Sequence, residues 1–152
     1  MAAIGNLQSM CYALYLSTDS QKDLTKHNSD LVRFEPISND DENHFTMLLK
    51  NRNKWYVGSK SGCSCTFRHL KSIELGFGEP EDWYREDQDE IDATKELFNL
   101  IDQLIFCEDQ VDCISIWEGS DPEDVVKMDV QLSLLSEVSF RFFENRHFVF
   151  YK

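Results

Sequence analysis

The spacing of apolar positions changes several times along the chain, and each change marks an element. Residues 12–17 are an unbroken apolar and aromatic run, which predicts a buried strand. Ser20 followed by Asp23 resembles a capping box, so a short helix is predicted over 20–27. Residues 31–35 alternate, and Pro36 ends the strand they predict. Residues 45–49 and 54–57 read as two strands joined by a polar turn at 50–53. Small residues make 58–66 a loop, after which a strand resumes over 67–70.

The clearest periodicity lies further on. Ile91, Thr94, Leu97, Phe98, Ile101, Leu104 and Ile105 recur at helical spacing and form one apolar stripe, predicting a long helix over about 80–106. Pro80 suits a first helical turn, and Glu81 and Asp82 favour the positive end of the helix dipole. Residues 111–117 alternate with apolar side chains on both faces, as a central strand does. Residues 130–135 fit a strand better than a helix, and 138–143 with 148–151 predict a terminal hairpin around 144–147. The expected fold class is α+β, a mostly antiparallel sheet with one long amphipathic helix packed on one face. No repeat or linker interrupts the pattern, so residues 1–152 read as a single domain.

Composition adds limits. A chain of 152 residues with 41% hydrophobic content and 11 phenylalanines can build a core without staples. Its net charge of −13 repels nucleic acid and anionic membranes and favours a basic protein as partner. No run approaches the roughly 20 apolar residues of a membrane span, and the first residues lack the pattern of a secretory leader. A cytoplasmic location is expected. Five cysteines, an odd number without framework spacing, read as reduced thiols. Cys107 and Cys113 flank a short turn and are the pair closest in sequence after Cys63 and Cys65.

Site-like chemistry gathers in residues 58–69. Residues 50–71 carry six basic residues and no acidic ones, whereas 74–96 carry ten acidic residues against Arg85 and Lys95. Two glycines, hydroxyls and cations in one loop suit a small anion, with Lys60, Ser61 and Arg68 as its binding residues. Cys63 and Cys65, two apart, would project to one side of extended backbone. With His69 they form a candidate set for Zn²⁺ or iron, to which Cys11, His44 or His147 could add. A reactive thiol beside Lys60, Arg68 and His69 is a third reading. The plain alternative is a small-residue turn whose cysteines pack in the core.

Elsewhere the sequence carries none of the nucleophile-elbow, zincin, EF-hand or dinucleotide-binding motifs. Trp83 and Tyr84 would make either a binding anchor or a contact with the sheet. The terminal rings Phe140, Phe142, Phe143, Phe148 and Phe150 are more aromatic than an exposed edge should be, which suggests a homodimer through the C-terminal hairpin. The expected function is a non-catalytic protein- or ligand-binding module. The alternative is a metal- or thiol-dependent enzyme using the Cys63/Cys65 loop.

Overall fold

The computed structural model describes residues 11–70, 75–80 and 86–152. Its centre is a six-stranded sheet with the order β2-β3-β1-β5-β8-β6. The strands are β1 (Tyr12–Thr18), β2 (Val32–Pro36), β3 (Asn53–Ser59), β5 (Val111–Trp117), β6 (Val126–Gln131) and β8 (Arg146–Tyr151). All pairings in it are antiparallel except β6 with β8. A second, two-stranded sheet joins β4 (His69–Leu70) in parallel to β7 (Phe142–Phe143). Helix α1 (Gln88–Phe106) packs on one face of the main sheet. The α+β class expected from the sequence is therefore the observed one.

Alternation along the strands sorts side chains into two layers. Leu14, Leu16, Val57, Val111, Cys113, Phe148 and Phe150 face α1 and meet its buried Leu97, Phe98, Ile101 and Leu104. Ala13, Ile114 and Ile116 point to the opposite face, where Leu49, Phe45, Tyr15 and Tyr56 cover them. Apolar residues on both faces of β5 follow from its position between β1 and β8.

Five local expectations need correction. Residues 45–49 are not a strand but a 3₁₀ turn, Thr46–Leu48. The Asn43 carboxamide oxygen accepts from the backbone N–H of Phe45 and Thr46, and the Thr46 hydroxyl accepts from Asn43 N–H, so side chains take the bonds a ladder would need. The short helix shrinks to Leu24–His27, capped by Asp23 rather than Ser20. The strand expected over 130–135 stops at Gln131 and gives way to a 3₁₀ turn, Leu132–Leu134.

The terminal hairpin does not form. β7 turns away to pair with β4, while β8 enters the main sheet between β5 and β6. Asn145, in left-handed backbone at φ 56°, makes the sharp turn between them. Phe140, Phe142, Phe143, Phe148 and Phe150 are no exposed edge: none is more than 5% exposed. Their rings pack on one another, with Phe140 at the centre, in contact with Phe77, Phe98, Phe142, Phe148 and Phe150. The basis for a homodimer through this segment is thereby removed.

The helix starts later than Pro80. Residues 81–85, with Trp83 and Tyr84, lie outside the described residues, and Asp87 is still extended at the N-cap. Two buried arginines hold the approach. Arg141 donates to the Gly78 and Glu79 carbonyls, and Arg68 pairs with Glu86. Among the described residues, no helix is long and apolar enough to cross a membrane.

Candidate functional site: a cluster of three thiols

Along β1, the last residues, Tyr15 to Thr18, pair with β3 at Tyr56 to Asn53. Beyond that point β3 continues beside β2, where Ser59 lies opposite Val32. The first residues of β1 thus need other partners, and the loop that follows β3 supplies them with side chains. Ser64 Oγ accepts from Leu14 N–H at 2.9 Å while donating to the Val57 carbonyl at 2.6 Å. Cys65 Sγ accepts from Tyr12 N–H at 3.3 Å.

The loop is braced by its own hydroxyls. Ser59 N–H and Oγ–H both donate to the Cys63 carbonyl, at 2.8 and 2.6 Å, and Ser59 Oγ accepts from Thr66 N–H at 2.9 Å. Both glycines are structural. Gly62 sits at φ +90°, and a Cβ on Gly58 would meet the Gly62 carbonyl oxygen at 2.9 Å.

This folding brings Cys63 and Cys65 to Cys11, immediately before β1. The three Sγ atoms all lie within 4.8 Å of one another, and each residue is half-buried. Among the described residues this is the one set of three Cys, His, Asp or Glu side chains gathered so closely. Ser61 Oγ stands 3.3 Å from Cys63 Sγ.

The surroundings set the three thiols apart. Burial raises the Cys63 thiol, but bonds from Ser61, from the Cys65 side chain and N–H, and from Cys11 outweigh it and hold it below its ordinary value. Cys65 is pushed up to about 12, by burial first and then by its place beside Cys63. Burial also raises Cys11, and the negative charge of Glu118 adds to that. One thiol of the set is thus disposed to ionise and two resist.

The other residues expected at this loop go elsewhere. Arg68 is spent inside the protein, on both carboxylate oxygens of Glu86 and on the carbonyls of Gly78, Val138 and Phe140. Lys60 pairs with Asp89 at 2.9 Å on the surface. The anion cradle of Lys60, Ser61 and Arg68 therefore does not assemble, because each cation is closer to a carboxylate of its own. His69 does not join the sulfurs. Its Nε2 bonds to the Ser64 carbonyl at 2.5 Å and its ring stacks on Tyr12 at 4.0 Å, and burial lowers its pKa to about 4. It buttresses the loop from behind.

His147 is also committed, to Asp112 at 2.6 Å. Asp112 is the hub of a buried network that sequence reading missed. Its carboxylate also accepts from Ser17 Oγ, Lys50 N–H and Asn51 Nδ2. All five cysteines are thiols, with Cys107 exposed and Cys113 deep in the helix-side core, so those two do not face each other.

Three sulfurs this close are the kind of donor set that could hold one thiophilic metal ion. Four ligands around Zn²⁺ at about 2.3 Å require sulfurs about 3.8 Å apart, inside the 4.8 Å within which all three sulfurs lie. Tyr12 N–H donates to Cys65 sulfur, and Ser61 Oγ lies where its hydroxyl can donate to a Cys63 thiolate, the kind of outer contact that stabilises thiolates. Compared with protein-family models, curated proteins and solved structures, the chain matches none.

Proposed function

We propose that the protein is a ligand-binding module whose ligand is a thiophilic metal ion, Zn²⁺ foremost, held by Cys11, Cys63 and Cys65. The observation that carries this reading is the convergence of three sulfurs from two separate segments on a hydroxyl-braced loop. A surface-turn role for the cysteines would not require Cys11 to meet them. Soft sulfur selects Zn²⁺ or iron over Mg²⁺ or Ca²⁺. The net charge of −13 raises the local concentration of any cation.

Metal binding would release protons, chiefly from Cys65 and Cys11, whose thiols are raised without it. Affinity should therefore climb as pH rises. Three protein ligands leave a fourth position for another donor, as in zinc sites that exchange ligands.

Elemental analysis and Zn²⁺ titration against a chromophoric chelator, on untagged reduced protein, test the proposal. One equivalent is expected, lost in Cys63→Ser, Cys65→Ser and Cys11→Ser and kept in Cys107→Ser. Absence of stoichiometric metal after exposure to excess Zn²⁺, or binding that survives Cys63→Ser and Cys65→Ser together, overturns it.

A further inference from the structure

We infer that Glu118 supplies the fourth ligand of this centre through its carboxylate, an inference that rests on the metal reading above. Glu118 N–H donates to the Cys11 carbonyl at 2.8 Å. That bond carries the β1–β5 register one step past Tyr12 and Trp117, so Cys11 and Glu118 stand opposite each other. Directly opposed residues have Cβ atoms about 4.5–5.5 Å apart and project to the same face. By the same alternation this is the face of Ala13, Tyr15 and Ile116, away from α1. The Glu118 carboxylate does not lie within 4.8 Å of all three sulfurs, so ligation requires its exposed side chain to turn toward them across the strand pair.

Two further facts favour Glu118. Its side chain is exposed, and among the described residues no hydrogen bond or ion pair holds it. Glu118 also lines a cleft of about 360 Å³ together with Tyr15, His44, Phe45, Ile116 and Asp121. A carboxylate is a harder and weaker donor to Zn²⁺ than thiolate. It is the ligand that a molecule entering from the cleft would displace.

The test measures Zn²⁺ affinity by chelator competition and the sulfur-to-cobalt charge-transfer band of the Co²⁺ form. Glu118→Gln should keep one equivalent of metal but weaken Zn²⁺ on the order of 10–100-fold, as loss of a supporting group does at metal sites. Glu118→Cys should strengthen the charge-transfer band by about a third, because four thiolates replace three. Wild-type affinity in Glu118→Gln, an equal loss in the control Glu123→Gln, or a loss found in His44→Gln instead overturns this inference. In each of those cases the three-thiol centre still stands if its metal is lost in Cys63→Ser. A wild-type protein that takes up no metal defeats both readings.

Discussion

Replacing Arg68 by methionine should destabilise the fold more than neutralising its partner Glu86. The two side chains are 1% and 2% exposed, so neither can turn to water. The guanidinium makes five contacts, two with the Glu86 carboxylate and three with the carbonyls of Gly78, Val138 and Phe140. Arg68→Met strands a buried carboxylate, which costs about 3–5 kcal/mol, and leaves carbonyls short of donors, for a total of about 4–6 kcal/mol. For a domain of this size that is a fall in Tm of about 10–20 °C. Glu86→Gln keeps one of the two acceptor oxygens, turns an amide donor toward the other guanidinium N–H and removes the counter-charge, while the three carbonyl contacts remain, so it should cost about 2–4 kcal/mol. Equilibrium unfolding in urea, followed by tryptophan fluorescence and circular dichroism, reads both values. The reasoning is refuted if Arg68→Met costs less than about 1 kcal/mol, the range of an exposed pair. It is also refuted if the two variants cost the same.

Asp112→Asn places an amide donor among groups that already donate, and should cost about 2–4 kcal/mol. Its mark would be lost hydrogen-exchange protection at the Lys50 and Asn51 amides, since Asp112 and Ser17 hold them. Burial lowers His69 from 6.5 to about 4, so the folded state binds fewer protons than the unfolded one between those values. That stability is whole above pH 6.5 and is lost as pH falls towards 4, by up to about 3 kcal/mol. His69→Phe should flatten the slope of unfolding free energy over this window, and an unchanged slope would assign it to other groups. In reduced protein treated with a chelator, iodoacetamide at neutral pH should modify Cys63 and the exposed Cys107 first and Cys65 and Cys113 last. Peptide mass spectrometry gives the order, and early labelling of Cys65 would contradict the electrostatics described above.

Much of the fold was legible in local pattern. The helical stripe from Leu97 to Ile105, the two-faced apolar β5 and the aromatic β1 each carry a burial requirement that only one kind of element satisfies. The failures have a common cause. Residues 45–49 are apolar enough for a strand, and β7 and β8 are strands, but their partners were settled elsewhere: the Asn43 and Thr46 side chains hold the first, the small sheet takes β7 and the main sheet takes β8. Pairing is a long-range matter, and hydrophobic alternation does not say which strand lies alongside.

The same division runs through the site. Residue types alone marked the loop around Cys63 and Cys65 as unlike the rest of an acidic chain, and Cys11 was one of several residues that could join it. Spacing could not choose among Cys11, His44, His69 and His147, because that choice depends on where β1 begins relative to the loop after β3. Tertiary structure chose Cys11, through bonds from Ser64 and Cys65 to the start of β1, and turned His69 to the loop's inner side. It also took Arg68 and Lys60 out of contention, since buried or adjacent carboxylates bind a cation more strongly than an open loop does. Composition thus determined which chemistry the chain carries, and strand order decided which of those groups meet.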